Sequence, residues 1–535
     1  MRVKSKLKSL HREIILYLIF AVLMVIVISL KINYYVDEIY SYGLANETGL
    51  IDEIEMSIEY GETYTPGVSA YLDYVGVQKG ERFDYSSVWR NQAIDVHPPL
   101  YYAVLHTICS LFAGTFSKWY AGFINIVFAL LVLFVLRKLI RLLTDDKYVL
   151  AILSGTFVFM TGILRMAVYF RMYFMAMLWV TLLTYLFVRQ VDKPQTIKAF
   201  YLPVYLVTVA GALTHYYVII FAVLISCVYG VYLLWSKRGK ETLFFCMTMV
   251  LAGGTSLAVF PAMIEHIFRG YRGRETIENL SGNADYWEDL KGFFDLVDRH
   301  MFGKMLGFII IGLVVTAVIR CFGNHLSDTD GMDGKDHILF GFDRTSIIRY
   351  ALIFIPCLSY FMVVSRVTPG LVERFVFPIY AVLFAGILCM SYTVLKSFFR
   401  RKAFLAVSII MTAMLIGRSY AYSDWQYLYR DTGAFLRNIK AHAGYDCVCV
   451  FEGSPWQLYM EFAEYSEYKS ITFITLEELE KRGIGQWASP DGVIISFIEV
   501  ADHGERVQQL AGDNGYMQLE YLGNYGFDHT YFLGN

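Results

Sequence analysis

Runs of about 18 or more apolar residues recur along most of this chain, and nothing else in it limits the fold so strongly. A run of that length crosses the hydrocarbon of a bilayer as one helix. Eleven candidate spans are read: 13–30, 119–137, 148–164, 172–188, 201–214, 217–235, 243–265, 305–320, 346–363, 375–395 and 403–420. The composition agrees. Of 535 residues 56% are hydrophobic and only 18% charged, less charge than a soluble chain of this length carries. The net charge of -2 and the lack of a basic stripe give no nucleic-acid partner.

Orientation follows from the basic residues. Arg2, Lys4, Lys6, Lys8 and Arg12 precede the first run, which is long for a signal peptide and has no small-residue cleavage site after it. It is read as an uncleaved span with the N-terminus inside. The short loops 137–147, 189–200, 236–242 and 396–402, all rich in Lys and Arg, then fall inside as well. Counting Pro98–Ala113 as a further span would turn every later basic loop outward, so this segment is expected to lie along the outer interface. The segment 325–336, HLSDTDGMDGKD, misses the spacing of a calcium loop and reads as a cytoplasmic linker.

The outer side receives a loop at 31–118, a loop at 266–304 and everything after about Ala421. In the first loop, VDEIYSYGLANETGLIDEIEM reads as two short interfacial helices and Gly61–Tyr74 as extended or turning chain. In the tail, YDCVCVF and DGVIISF read as strands. Thr475 with Glu478 three residues on marks a helix start. The expected domains are therefore 1–430, a polytopic α-helical membrane domain, and 440–535, a small α/β domain on the outer face. Cys447 and Cys449 share one side of a strand and are not expected to bridge; the other six cysteines lie in apolar runs.

Carboxylates beside a span are costly and seldom idle. Asp37 and Glu38 stand where the first span emerges, and on the same side stand several other polar groups. These are His97 in DVHPPLYY with Asp95 two residues before it, Arg171 and Tyr173 in YFRMYF, His215 in LTHYYVI, and Arg374 in LVERFVFPIY. Two prolines after His97 stiffen its backbone. A carboxylate with cations at a bilayer surface suits one chemistry: the carboxylate takes a proton from a hydroxyl, and the cations hold a phosphate leaving group.

These stretches, in order over about residues 13–420, resemble the motifs of the GT-C superfamily of integral-membrane glycosyltransferases. The likeness is to its bacterial branch, related to protein O-mannosyltransferases and to the aminoarabinose transferases of lipid A. VDEIYSYGLAN is similar to the acidic motif of the first outer loop, DVHPPLYY to a His-Pro-Pro-Leu motif, FRMYFMAMLW to an Arg-Met-Tyr motif, THYYVIIFAV to a Thr-His-Tyr segment, and VERFVFPIYAVLF to a late span. The resemblance implies a GT-C fold of about eleven spans and an inverting transfer of sugar from a polyprenyl-phosphate donor to a hydroxyl of a glycan, lipid or protein. It makes Asp37 the general base. It puts His97, Arg171 and Arg374 near the donor phosphate, and Glu38, Asp95, Tyr173 and His215 in acceptor-side or supporting roles. No cofactor is required, and a divalent metal is compatible with the scheme; no metal ligand is assigned. A bacterial plasma membrane, with the site facing the extracytoplasmic side, is the expected setting. The chain departs from the pattern at Tyr169, where relatives usually carry Glu; Glu38, Asp95 or Glu373 would have to take that role. A transporter or flippase is the rival reading, but its polar residues should sit at mid-span and its helices break at the bilayer centre. A non-catalytic scaffold is the third.

Overall fold

A computed structural model of the chain describes residues 2–48, 58–192, 194–281, 286–327, 343–368, 370–425, 432–487 and 489–535. Most of the expected linker at 325–336 and the second of the two expected interfacial helices lie outside these residues.

Among the described residues, seven helices are long and apolar enough to cross a membrane: Lys118–Leu143, Tyr173–Asp192, Tyr216–Trp235, Gly239–Val259, Arg344–Val367, Phe377–Phe398 and Arg401–Tyr422. Two further pairs pass only together. Lys147–Phe159 and Thr161–Ala167 meet at 51°, and Tyr286–Phe302 and Leu306–Thr316 at 89°. Glu13–Ser29, Leu100–Leu111 and Ile197–Ala212 are shorter apolar helices. Each of the eleven runs read from the sequence falls on one of these helices.

The helix Leu100–Leu111 sits beneath the first loop, packed between helix Val36–Asn46 and span Lys118–Leu143. Tyr101, Tyr102, Leu105 and His106 are fully buried there, while Leu111 and Phe112 at its end are exposed. The remainder of the loop forms helix Tyr85–Ile94, capped by Asp84, and a short 3-10 turn at Gly67–Tyr71.

The tail folds on a six-stranded sheet. In chain order its strands are β1 (Thr63–Tyr64), β2 (Asp446–Phe451), β3 (Ser470–Thr475), β4 (Gly492–Ile498), β5 (Gln518–Gly523) and β6 (Asp528–Gly534), arranged β1-β3-β2-β4-β6-β5. The centre, β3-β2-β4, is parallel; β1, β6 and β5 pair antiparallel. Edge strand β1 comes from the first long loop, Thr63 lying 409 residues before its partner Thr472, so the loop and the tail share one sheet. Strand alternation divides the faces. Val448, Val450, Ile495 and Phe497 pack under helices Leu476–Arg482 and His503–Asn514, while Cys447, Cys449, Ile494 and Ile498 join the apolar core that continues into the helical part. The capping box foreseen at Thr475 and Glu478 opens the first of these helices.

Candidate active site

The opening Asp-Glu pair lies in the first turn of helix Val36–Asn46, where the positive end of the helix dipole favours acidic groups. The two side chains part there. Glu38 turns inward and is fully buried. It accepts hydrogen bonds from the N–H of Tyr35 at the helix start (2.8 Å) and from the N–H of Phe170 (2.8 Å), and it pairs with buried Lys31 at 2.9 Å. Glu38 therefore lies away from the cavity and braces the helix against the chain that carries Arg171. Asp37 turns outward.

That chain, Val168–Met172, is a break between helices Thr161–Ala167 and Tyr173–Asp192. The carbonyls of Met166, Ala167 and Tyr169 accept from the amide of Asn125, a buried polar residue of the span Lys118–Leu143. A break inside apolar surroundings needs such a donor, since no water meets its carbonyls. It frees Tyr169 and Arg171 to reach Asp37.

Asp37 Oδ2 receives Arg374 Nη1 at 2.7 Å and the Tyr169 hydroxyl at 3.3 Å, and Arg374 Nη1 also donates to that hydroxyl at 2.8 Å. Asp37 Oδ1 has no hydrogen-bond partner among the described residues. Arg171, almost fully buried, donates through Nη1 to the Asp37 carbonyl (2.7 Å) and to Ser41 Oγ (2.9 Å), and through Nη2 to His97 Nε2 (3.1 Å). Because Arg171 can only donate, His97 Nε2 accepts. The ring proton then sits on Nδ1, 2.7 Å from Asp95 Oδ2. Asp95, His97, Arg171 and the Asp37 backbone form one chain of contacts. Burial alone would raise the Asp37 carboxyl; Arg171 and Arg374, with the Tyr169 hydroxyl, outweigh it and hold Asp37 below the usual carboxylate range.

The His-Pro-Pro and Thr-His-Tyr stretches meet here. Leu100 N–H, just past the prolines, donates to Leu213 O at 2.8 Å. His215 then caps helix Tyr216–Trp235, its Nδ1 accepting from Tyr217 N–H. Burial, and then the cationic neighbours Arg171 and Arg374, push His215 far below the ordinary histidine range, so it serves as a neutral acceptor. Tyr173 stacks on Tyr169 and meets His215.

Seven of the eight residues singled out in the sequence, Asp37, Asp95, His97, Arg171, Tyr173, His215 and Arg374, line one cavity of about 680 Å³. Glu38 does not. Ile219, Ile220, Val223 and Leu224 of the span Tyr216–Trp235 give the cavity an apolar wall beside its charged end. Its lining also includes Tyr40, which lies in the acidic motif but was not singled out, and His266 and Glu275, for which the sequence carried no motif. Of the groups considered in place of the usual Glu, Glu373 is committed elsewhere. It binds Arg165 (2.8 Å) and His300 (3.1 Å) in a buried network that fixes the turn bearing Arg374. Tyr169 itself touches the Asp37 carboxylate, as a hydroxyl rather than a second acid.

In fold the chain is similar to ArnT from Cupriavidus metallidurans bound to undecaprenyl phosphate, with a TM-score of 0.47 and 10% identity over 96% of this chain and 97% of that one. It is similar also to the apo form of the Archaeoglobus fulgidus oligosaccharyltransferase, with a TM-score of 0.46 and 10% identity over 90% of this chain and 69% of that one. No family model matches the chain, and no curated protein matches it.

Proposed function

We propose that this protein is an inverting glycosyltransferase that moves a sugar from a polyprenyl-phosphate donor to a hydroxyl acceptor at the outer face of the membrane. One observation carries the reading. The free oxygen of an ionised aspartate stands at a cavity that is cationic at one end and apolar along the side of a membrane-spanning helix. A donor with a phosphate head and a hydrocarbon tail needs both halves of such a cavity.

In this reading Asp37 Oδ1 takes the proton of the acceptor hydroxyl while that oxygen attacks the anomeric carbon. The bond from that carbon to the phosphate oxygen breaks, and the phosphate leaves with the electron pair. Arg374, which borders the cavity, offsets the charge that develops on the leaving phosphate. Arg171 belongs to the same positive end, with the His97 ring beside it, and Arg171 also holds the backbone of Asp37 in place. Tyr169 fixes the Oδ2 edge of the carboxylate, leaving Oδ1 to the acceptor. Asp95 orients His97.

The test is a comparison of cell-surface glycans and lipid-linked sugars by mass spectrometry in cells with the wild-type chain, without it, and with Asp37→Asn. The reading expects one glycan to lose a sugar, and one lipid-linked sugar to accumulate, in both altered strains. A glycan profile that Asp37→Asn leaves like wild type, with the protein present at normal level, would remove the enzyme reading and favour the scaffold.

A further inference from the structure

Outside the cavity, a cluster of buried acids lies in the tail. Glu461, Glu464 and Asp528 are all fully buried. One carboxylate oxygen of each lies within 4.8 Å of one from each of the others. No lysine, arginine or histidine among the described residues pairs with any of them. Three buried carboxylates with no cation are costly, since each like charge raises the energy of the next.

The hydrogen bonds show what is missing. One oxygen of each glutamate is held by the protein. Glu461 Oε1 accepts from Phe527 N–H at 3.1 Å, and Glu464 Oε1 from the Tyr468 hydroxyl at 3.0 Å. Asp528 accepts from Tyr525 N–H and, at 2.7 Å, from Thr530 Oγ1, which stands 3.0 Å from the Ser496 hydroxyl. The remaining oxygens, Glu461 Oε2 and Glu464 Oε2, are buried and no donor group reaches them, while the Glu464 and Asp528 carboxyls stand within hydrogen-bond reach of each other. Buried polar atoms are rarely left so. Carboxylates held by one oxygen with the other open have the arrangement that outer-sphere hydrogen bonds impose on metal ligands.

We propose that Glu461, Glu464 and Asp528 bind a divalent cation through oxygen alone, of the calcium class. Two oxygens on one calcium ion, each at about 2.3–2.6 Å, can stand up to about 5 Å apart, which the cluster satisfies. The hydroxyls of Tyr468 and Thr530 adjoin the ligands. No sulfur belongs to the cluster, although Cys447 and Cys449 lie on the same face of β2, so the donor set is a hard one.

The ion would join two parts of the tail: the segment before β3 that carries Glu461 and Glu464, and the turn into β6. Phe462, between the two glutamates, packs on Tyr34, Tyr71 and Phe116 of the first loop. The Tyr525 hydroxyl donates to Tyr34 O at 3.4 Å, three residues before Asp37. The cation therefore clamps the surface by which the tail grips the loop that bears the site. It has no part in the chemistry and stands whether or not the transfer reading does.

The experiment uses the full chain in detergent, freed of metal by a chelator and dialysis. Terbium added alone should luminesce on excitation of tryptophan, with Trp456 in the segment beside Glu461, and calcium should displace it at one site per chain. Calcium should raise the melting temperature, with magnesium weaker and zinc without matching effect. Glu464→Gln and Glu461→Gln, which keep shape and remove charge, should each weaken calcium binding at least tenfold. Wild-type protein that takes up no calcium at millimolar concentration, and melts alike in calcium and in chelator, would overturn the proposal. So would calcium binding that both glutamine variants retain. The wild-type measurements decide the matter even if a variant fails to fold.

Discussion

Asp37 and Glu38 are neighbours with the same chemistry and opposite fates, and the difference decides what each substitution should do. Asp37→Asn keeps the shape but cannot take a proton. Loss of a general base costs about a hundredfold to ten-thousandfold in rate, so transfer should fall by that much while donor binding persists. The pH profile gives a sharper check. A carboxylate whose value is lowered in the folded protein is ionised above that lowered value and fails only as pH falls through it. The acid limb of the transfer rate should lie below the ordinary aspartate value of about 3.9, and Arg374→Gln should move it upward, because burial then acts with less opposition. An acid limb near neutrality in the wild type would remove Asp37 as the base. Glu38 concerns stability instead. Glu38→Gln leaves Lys31 charged and buried without its partner, and breaking such a pair costs about 3–5 kcal/mol. The double variant Lys31→Met, Glu38→Gln should melt well above the single one; equal melting would show that the pair does not hold the helix. Asp37 was legible in the sequence because a carboxylate at a span end is conspicuous in so apolar a chain. The inward turn of Glu38 was not, since it depends on Lys31 and Phe170 arriving from two other segments. Nor was the contact of Tyr169 with Asp37, since a tyrosine among apolar residues looks like packing.

Elements of eighteen or more apolar residues were plain in the sequence, because length and composition alone specify them. Breaks, and an element as short as β1, were not. The bend after Phe159 lies in a run that reads as one continuous span, and the break after Ala167 has its carbonyls met by Asn125, a residue 42 positions before Ala167. Strand β1 has only two residues in its ladder, and its partner β3 lies in the tail; no periodicity reveals such a pair. The helix that carries Asp37 contains one further clue, Gly43. A Cβ there would lie 1.9 Å from Cζ of Tyr74, which is itself buried. In an exposed helix, Gly→Ala gains about 1 kcal/mol. Here the added methyl meets a ring packed against Tyr459 of the tail, and overpacking of this kind costs about 1–3 kcal/mol. Gly43→Ala should therefore lower the melting temperature, and Gly43→Ala with Tyr74→Leu should recover part of the loss. A single variant that melts higher than wild type would mean that Tyr74 moves aside freely.

The molecule as a whole has two ends. At one, Lys396 pairs with Asp146 at 3.0 Å, Arg401 lies over the ring of Tyr148, and Arg349 binds both Asp192 and the carbonyl of Leu142. The short basic loops thus gather together. At the other end are the cavity, the first loop and the sheet that the loop shares with the tail. Lys and Arg in short loops favour the cytoplasm, so the cavity should open on the opposite side, where a lipid-borne donor and a surface acceptor can meet. The check is chemical labelling in a chain whose Cys227, Cys246 and Cys321 are replaced by serine, the first two being exposed on spans. A cysteine at Asn514, exposed at the end of helix His503–Asn514, should react with a membrane-impermeant maleimide in intact cells. One at Lys240, exposed in the first turn of helix Gly239–Val259, should react only after the membrane is opened. The reverse pattern would place Asp37 in the cytoplasm, and the acceptor would then have to be sought among cytoplasmic hydroxyls. Labelling of both positions in intact cells would break the two-ended arrangement itself, since the basic end and the tail cannot share one side of the membrane.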